Sequence, residues 1–481
     1  MVKPGELVDA KGQWVEDARY GRQFRAEELQ IYPPTSAAGM SRYLASGAIP
    51  GIGPKLAERM LKKFGAQLVD VLDRHPTRLG EVPGIGPKKL KKIIEAWEQS
   101  RAVRQIMIFL GEHGVSTSRA VRIYRQYGNG AIGIIRQNPY RLANDIWGVG
   151  FHTADTLAQR LGVDPHSPQR AGAAVIHVLE TAAHAGHCAL PIADVLAKTQ
   201  QLTGIDERVI ESAIASLAKQ RQLVTEELDR EPFAWLPQLY QAEWDIAQSV
   251  ARLVSAGRHP LADIKTEKAI EWVQERLNIR LAADQAEAIR EATRQRVLVV
   301  TGGPGVGKTT IVQSIVEIAS AKGLACVLCA PTGRAAKRLE EATGRTAKTI
   351  HRLLEYSPHT GTFQRGPDAP LSGHVFIVDE SSMLDARLAD SFLRALPDNA
   401  CVVFVGDVDQ LPSVGPGNVL ADLIRSGTMP VARLRTVFRQ GARSQIISAA
   451  HAINAGTLPP LSPIEAGLTD FYFIDATTPE Q

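Results

Sequence analysis

The chain has 481 residues, of which 44% are hydrophobic, and its formal net charge is +4. This length predicts about three domains, and the composition is ordinary for a globular protein. No apolar run approaches the roughly 20 residues that cross a bilayer, so we expect no membrane partner. The four cysteines are too few for a disulfide framework, which favours a reducing, cytoplasmic location.

Positive charge is concentrated in one part of the chain. Residues 55–125 contain 15 Lys or Arg against 7 Asp or Glu, a local net charge of +8. A basic segment of this kind favours a polyanionic partner, most often nucleic acid. A solvated charged surface without a ligand is the alternative.

A glycine repeat follows a short β-rich segment, which we place at 1–40. IPGIGPKLAERMLKKFG begins at Ile49, VPGIGPKKLKKIIEAW at Val82 and IWGVGFHTADTLAQRLG at Ile146. The copies resemble the helix-hairpin-helix motif, whose backbone amides at a helix N-terminus hold a DNA phosphate. We therefore predict a tandem helix-hairpin-helix domain over 41–165. The residues expected to contact DNA are Gly51, Gly53, Lys55, Gly84, Gly86 and Lys88.

A longer repeat with an offset of 63 residues makes two tandem pairs of hairpins. In the second pair the first hairpin is degenerate, because Gly51-Ile52-Gly53 is matched by Gly114-Val115-Ser116. We expect that copy to be structural. For the copy at Trp147 to Gly150, which no lysine follows, a packing repeat without a ligand is an equal alternative.

Amphipathic helices over 166–240 run into two short strands around an acidic turn, the order of a winged-helix module. The acidic residues of this wing are Glu226, Glu227, Asp229 and Glu231. They disfavour phosphate contact, so a protein partner through the N-terminal region is the better interpretation.

Two small groups of histidines and cysteines raise the question of a metal site. His184, His187 and Cys188 lack a second ligand pair at zinc spacing, so a metal there is the weaker alternative. Cys326 and Cys329 lie within the apolar run LACVLCA, which predicts a buried strand.

The segment 241–430 alternates helices with the apolar strands VLVVTG, ACVLCAPT, VFIVDES and CVVFVGD. This alternation predicts a parallel sheet that helices cover on both faces. GGPGVGKTT follows the first strand and precedes a helix, the context in which a P-loop cradles nucleotide phosphates. We expect ATP and Mg²⁺ as cofactors, with a lysine on the phosphates and Thr309 on the metal. The predicted nucleotide-binding residues are Gly303, Pro304, Gly305, Val306, Gly307, Lys308, Thr309 and Thr310.

Polar residues follow two of the other strands. Asp379 and Glu380 end VFIVDES, where the first would hold Mg²⁺ through water and the second would deprotonate the attacking water. Gln410, after CVVFVGD, is suited to sense a γ-phosphate. Arg439 is a candidate for neutralising charge on the transferred phosphoryl group, and Gln285 for contacting an adenine edge. A lone Gln or Arg is more often a surface residue.

Seven motifs together resemble those of superfamily I helicases, in the wording of the RecD-like branch. They are Gln285, GGPGVGKTT, APTGRAAKRL, TIHRLL, VDESSM, GDVDQLPSVGPG and VFRQ. The upstream hairpins are similar to those of its long bacterial form. The resemblance implies a RecA-like domain and a monomeric ATP-dependent translocase that moves 5′ to 3′ on single-stranded DNA and acts at single-strand/duplex junctions in repair or recombination.

The resemblance also implies roles for specific residues. Those expected along the single strand are Pro331, Thr332, Gly333, Thr349 and His351. A β-hairpin near 353–373 would split the duplex, with Tyr356 and Phe363 as stacking residues or, more commonly for such aromatics, as packing within the hairpin.

The resemblance further implies that 431–481 is the start of a second, incomplete RecA-like domain, which predicts weak ATP hydrolysis by this chain alone. Two other functions compete with a motor: a DNA-binding module with a vestigial nucleotide site, and another type of P-loop enzyme. Lys308, Thr309, Asp379, Glu380 and Gln410 argue against the first, and GDVDQLPSVGPG argues against the second.

Overall fold

The computed structural model describes residues 7–17, 21–32, 43–44, 46, 49–257, 259–436, 444–459 and 470–471. The chain divides into two compact units. The hairpin unit comprises Met1–His177 with Lys198–Ile214, and the sheet unit comprises Val178–Ala197 with Ala215–Gln481. Among the described helices, none has the length and apolar character needed to cross a membrane.

The hairpin unit begins with two antiparallel strands, β1 (Leu7–Asp17) and β2 (Gly21–Tyr32). Trp14 lies opposite Phe24 in this ladder, and their ring centroids are 5.2 Å apart. The helices that follow are α1 (Pro54–Phe64), α2 (Leu68–Arg74), α3 (Pro87–Glu112), α4 (Ala120–Tyr127), α5 (Ala131–Gln137), α6 (Arg141–Asp145) and α7 (Phe151–Arg160).

The glycine repeat sets where three of these helices begin. Gly53, Gly86 and Gly150 are the extended N-cap residues of α1, α3 and α7. Each hairpin pair has its own core, one including Met60 and the other Ile123. The 26-residue α3 contributes to both cores. The tandem arrangement predicted from the 63-residue offset is therefore present as two cores joined by one long helix.

The next elements have the order of a winged helix. They are α8 (Pro168–His184), β3 (Ala189–Pro191), α9 (Ile192–Thr203), α10 (Glu207–Lys219), β4 (Val224–Leu228) and β5 (Glu231–Trp235). The strands form a three-stranded antiparallel sheet in the order β3-β5-β4. The sequence predicted only β4 and β5, because three residues are too few for β3 to show an alternating pattern.

The α/β part of the sheet unit contains the remaining elements. Its helices are α11 (Pro237–Ser255), α12 (Thr266–Leu277), α13 (Ala283–Ala292), α14 (Lys308–Ala321), α15 (Gly333–Thr343), α16 (Ile350–Leu353), α17 (Ala386–Arg394), α18 (Val419–Ser426) and α19 (Gln445–Asn454). Its strands are β6 (Val297–Thr301), β7 (Cys326–Ala330), β8 (Ala347–Thr349), β9 (Tyr356–Ser357), β10 (Thr362–Phe363), β11 (Val375–Val378), β12 (Cys401–Gly406) and β13 (Val431–Arg433).

A six-stranded parallel sheet organises this part, in the order β13-β6-β12-β11-β7-β8. Both faces are covered, since Phe376 of β11 belongs to one hydrophobic core and the adjacent Ile377 to the other. The four central strands are those that the apolar runs predicted. The fold class predicted from the sequence, helical hairpins followed by a P-loop domain with a parallel sheet, is confirmed.

Candidate functional site

The candidate site is built at the carboxyl end of β6, where the chain turns into α14. Gly305 and Gly307 have φ of 78° and 81°, a left-handed conformation that glycine adopts without strain. Gly302 and Gly303 are held by close neighbours instead. A Cβ at Gly302 would lie 2.7 Å from the Leu434 carbonyl oxygen. The loop is therefore shaped both by backbone angle and by lack of space.

Lys308 is the first residue of α14, directly after this loop, and is half-buried. Its Nζ donates hydrogen bonds to the carbonyl oxygens of Gly302 and Gly303, the second at 3.0 Å. Burial lowers the pKa of Lys308, while the charges of Asp407, Glu380 and Asp379 act in the opposite direction. The ammonium thus lies within electrostatic range of acids from other strands.

Strand order explains how those acids reach the lysine. β12 lies beside β6, and β11 lies beside β12, so the carboxyl ends of three neighbouring parallel strands share one edge. Asp379 and Glu380 follow β11, and Asp407 follows β12. Burial, with a contribution from Glu380, raises the pKa of Asp379 to about 6. Acidic groups that outnumber the lysine suit a site for a hard divalent cation with oxygen ligands.

Glu380 has an unusual backbone for a side-chain-bearing residue. Its φ is 51°, in the left-handed region, and its carbonyl accepts a hydrogen bond of 3.0 Å from Met383 N–H. Non-glycine residues in this conformation cost free energy and occur often at functional sites. The strain therefore singles out Glu380 among the acids.

Gln410 extends the acidic edge beyond β12. Its Nε2 donates to Asp407 Oδ2 at 3.4 Å, and Asp409 N–H donates to Asp407 Oδ1 at 3.2 Å. The nearby Val408 N–H reaches the Thr301 hydroxyl at 3.4 Å, which joins the ends of β12 and β6. The predicted sensor thus lies at the same edge as the P-loop.

Gln285 is 1% exposed and contacts the loop from α13. Its Nε2 donates to the Val306 carbonyl oxygen at 3.1 Å, and its Oε1 accepts from Ala282 N–H at 3.1 Å. One N–H of the amide is left for another partner. In this structure the residue predicted to contact adenine also holds the backbone of the P-loop.

Two residues around the loop were missed by the sequence analysis. Asp284 Oδ2 accepts from the backbone N–H groups of Arg435 and Thr436 at 2.7 and 3.0 Å. Burial raises the pKa of Asp284, but these hydrogen bonds outweigh burial and lower the pKa below its usual value. His451 of α19 packs on Gly303, where an added Cβ would lie 2.7 Å from its Cε1. Within the described residues, its buried Nε2 has no hydrogen-bond partner. Neither residue belongs to a motif that the sequence made recognisable.

The residues predicted along the single strand lie at the carboxyl ends of β7 and β8, farther along the same edge of the sheet from β6. β7 and β8 are parallel neighbours, with Ala330 opposite Thr349, so Pro331 and Thr332 end beside Thr349. Thr332 and Thr349 cap α15 and α16, each hydroxyl accepting a backbone N–H at 3.2 Å. Each keeps its own O–H as a donor. Gly333, the first residue of α15, is exposed.

A two-stranded hairpin, β9 and β10, lies within the predicted 353–373 segment. Tyr356 and Phe363 are opposite each other, with ring centroids 5.2 Å apart, and His351 contacts both at 5.7 and 5.6 Å. The predicted DNA-path histidine and both predicted wedge residues therefore form one aromatic cluster. Tyr356 remains 42% exposed.

The hairpins of the hairpin unit share a device that the sequence did not predict. Gly51 and Gly84 have φ of 93° and 94°, and the lysines that follow, Lys55 and Lys88, are exposed. Arg59, on the neighbouring helix α1, donates to the Pro83 carbonyl at 2.6 Å, directly before Gly84.

The same contact recurs in the second pair of hairpins. Arg122 donates to the Trp147 carbonyl at 3.0 Å, and Arg160 donates to the carbonyl of His113, before the degenerate glycine at 114. An arginine from a neighbouring helix therefore crosses each of these three hairpins.

Arg439 lies outside the described residues. Among the residues that the structure describes, no group of three His, Cys, Asp or Glu side chains is arranged to hold a metal directly. Cys329 is buried in β7 and both cysteines of the C-x-x-C pair are free, in agreement with the buried strand.

Comparisons with protein families agree with this architecture. The model described as AAA domain matches 280–467, and ATP-dependent RecD2 DNA helicase HHH domain matches 99–189. SAM-like helix-hairpin-helix tandem matches 42–99. ATP-dependent DNA helicase YrrC, OB-fold domain, matches 1–34.

Curated relatives cover the chain to different extents. The ATP-dependent RecD2 DNA helicase of Deinococcus radiodurans is 33% identical over 97% of this chain and 66% of its own length. The RecBCD enzyme subunit RecD of Mycolicibacterium smegmatis is 37% identical, over 36% of this chain and 35% of its own. The ATP-dependent DNA helicase dda of phage T4 is 34% identical, over 27% and 31%. The chain thus spans about two thirds of the first relative's length and about a third of the other two. It belongs to the RecD-like family of superfamily I DNA helicases, and is of the RecD2 type.

Proposed function

We propose that the chain acts as an ATP-dependent DNA helicase that moves 5′ to 3′ along single-stranded DNA in repair or recombination. The observation that carries the proposal is Lys308 in a glycine loop, within electrostatic range of Asp379, Glu380 and Asp407 at the ends of adjacent strands. A binding module with a vestigial site would not need strained and buried acids at this edge.

In this proposal the P-loop holds the nucleotide. The backbone N–H groups of 303 and 305–310, together with Lys308, bind its phosphates, and Pro304 lies between them without an N–H to donate. Thr309 and Asp379 are the residues that would hold Mg²⁺, which supplies charge stabilisation for phosphoryl transfer. Glu380 takes the proton of the attacking water. The remaining roles are the γ-phosphate sensor for Gln410, charge neutralisation for Arg439 and an adenine contact for Gln285.

The DNA path in this proposal follows the ends of β7 and β8. Pro331, Thr332, Gly333, Thr349 and His351 contact the single strand, and the β9–β10 hairpin separates the duplex at a junction. The position of the two threonine hydroxyls at one sheet edge supports this path. The glycine hairpins at Gly51 and Gly84 bind DNA backbone without reading bases. The proposed motor is a monomer, and its acidic wing is available to a protein partner.

Strand displacement on tailed duplexes tests this function. Because weak ATP hydrolysis is predicted for this chain alone, displacement should be slow and is followed with protein in excess over DNA. The purified chain should displace a labelled strand from a duplex with a 5′ tail only when ATP and Mg²⁺ are present, and should leave a 3′-tailed or blunt duplex intact. Lys308→Ala should abolish displacement, whereas Lys322→Ala, an exposed lysine directly after the same helix, should not. Equal displacement from both tails would refute the polarity. Displacement that survives Lys308→Ala would refute the motor.

A further inference from the structure

The third hairpin of the hairpin unit displays an unusually exposed aromatic side chain. Trp147 is 84% exposed, whereas Trp14 and Trp244 are 61% and 53% exposed and the other three tryptophans less. An indole combines a large apolar face with a polar N–H, a combination that is enriched at binding interfaces.

The hairpin fold does not require this indole. In the second hairpin the equivalent residue is Pro83, whose carbonyl accepts the Arg59 guanidinium at 2.6 Å. The Trp147 carbonyl accepts Arg122 in the same manner at 3.0 Å. The structural role of the position is thus carried by the backbone, which leaves the side chain free for another purpose.

Arg122 holds the indole in place and makes its surroundings positive. Its guanidinium carbon lies 5.1 Å from the centroid of the Trp147 ring, a cation–π contact on one face. Arg119 and Arg122 both reach within 4 Å of the Cβ position at Gly148. The nearest acid in sequence, Asp145, already accepts hydrogen bonds from Arg141 and Tyr127. This hairpin has no lysine of its own, and arginines from the preceding turn and helix replace it.

We propose that Trp147, Arg122 and Arg119 form a stacking platform for an unpaired base of single-stranded DNA. One face of the indole stacks on Arg122 and the other receives the base, while the two guanidinium groups attract the flanking phosphates. Bases within a duplex are already stacked, so the platform selects unpaired strands. The proposal rests on the proposed function in that single-stranded DNA is the substrate.

Tryptophan fluorescence reports on this platform separately from the motor. Titration of the full chain with a 20-nucleotide oligothymidine should quench a component of the emission that Trp147→Phe lacks, since phenylalanine keeps the ring but not the emission. An abasic oligomer of equal length, with the same backbone charge, should not quench that component. Equal quenching of wild type and Trp147→Phe would overturn the proposal, as would equal quenching by the abasic oligomer.

The contribution to affinity is measured with Trp147→Ala and labelled DNA. Loss of one stacked base should weaken binding of the oligothymidine about 5- to 150-fold and leave binding of the abasic oligomer unchanged. Trp244→Ala, which removes another exposed indole, is the matched control. Unchanged oligothymidine affinity would overturn the platform and leave Trp147 to a protein partner. Absence of any single-strand binding by wild type would instead refute the proposed function.

Discussion

Glycine turns before a helix occur in both units of the molecule, in different surroundings. In the hairpin unit, a Cβ added to Gly86 or Gly150 would meet no atom within 4 Å. In the sheet unit, a Cβ at Gly302 or Gly303 would meet a neighbour at 2.7 Å. The N-cap glycines of the hairpin unit are therefore open, and the neighbours that an added Cβ would meet at Gly84, Gly114 and Gly148 are arginine side chains. In the sheet unit the loop is enclosed by Leu434 and His451. An open turn can follow a long polymer, and an enclosed one selects a small charged ligand.

The lysines beside the two kinds of turn also differ in their exposure to solvent. Lys55 and Lys88 are exposed beside their hairpins. Lys308 is half-buried and within range of acids from other strands. Exposed charges bind a polyanion but are screened by salt, whereas enclosed charges act at full strength on a reacting group. Enclosure, rather than the glycine motif itself, distinguishes the proposed DNA-binding surface from the proposed catalytic site.

The largest expected effect tests whether the hairpin unit also depends on enclosed charge. Arg170 donates to both carboxylate oxygens of Asp155 at 2.8 and 3.0 Å, and Tyr140 donates to the same group at 2.7 Å. Arg170→Met leaves the buried carboxylate without its charged partner, so we expect a loss of about 3–5 kcal/mol of unfolding free energy. Urea denaturation, with hydrogen exchange to identify the unit that unfolds, measures it.

The matched control for that variant is Arg141→Met, which breaks the half-exposed pair with Asp145. Exposed ion pairs contribute about 0–1 kcal/mol, so this variant should unfold close to wild type. Similar losses in both variants would contradict the importance of enclosure.

A smaller effect compares an enclosed glycine with an open one. Gly302→Ala places a Cβ against the Leu434 carbonyl oxygen, so we expect about 1–3 kcal/mol of destabilisation and loss of nucleotide binding. Gly86→Ala meets open space at a φ of −84°, and its cost should stay below about 1 kcal/mol. Thermal melting and calorimetric titration with ATP check both variants. Equal nucleotide affinity in wild type and Gly302→Ala would refute the enclosed loop.

The length of each sequence pattern determined how much of the fold could be predicted from it. The central strands were predictable because runs such as Val297–Thr301 begin with four apolar residues and are buried throughout. The edge strands Ala347–Thr349 and Val431–Arg433 have three residues each, too short for a period. The P-loop and the acids after the strands follow from local motifs.

Contacts between distant parts of the chain were not predictable. Asp284 bonds to Arg435, 151 residues away, and His451 packs on Gly303. No local spacing encodes such contacts. The arginines that cross the three hairpins could not be predicted for the same reason. Arg122 and Trp147, for example, are 25 residues apart, and only the fold brings them together.

A pH-dependent effect concerns an enclosed histidine of the sheet unit. His259 Nδ1 accepts from Leu261 N–H at 2.9 Å, and its Nε2 lies 3.1 Å from the Gln295 carbonyl oxygen. Burial lowers the pKa of His259 from 6.5 to about 4, and the charge of Arg296 acts in the same direction. Between these values the unfolded chain binds the extra proton, so stability falls as the pH falls.

The corresponding variant is His259→Asn, which keeps a hydrogen-bonding side chain without this titration. Melting temperatures of wild type should decrease more steeply than those of the variant between pH 6.5 and 4. Parallel curves would show that His259 is not neutral in the folded state.

The most direct test of the enclosed P-loop as the catalytic site is ATP hydrolysis with and without single-stranded DNA. We expect hydrolysis by wild type and by Lys322→Ala to be slow, in line with the weak hydrolysis predicted for this chain alone, and to be stimulated by DNA. Lys308→Ala should reduce the stimulated rate by about 10²-fold or more, since it removes a preorganised charge from an enclosed site. Equal DNA-stimulated rates in wild type and Lys308→Ala would contradict the account.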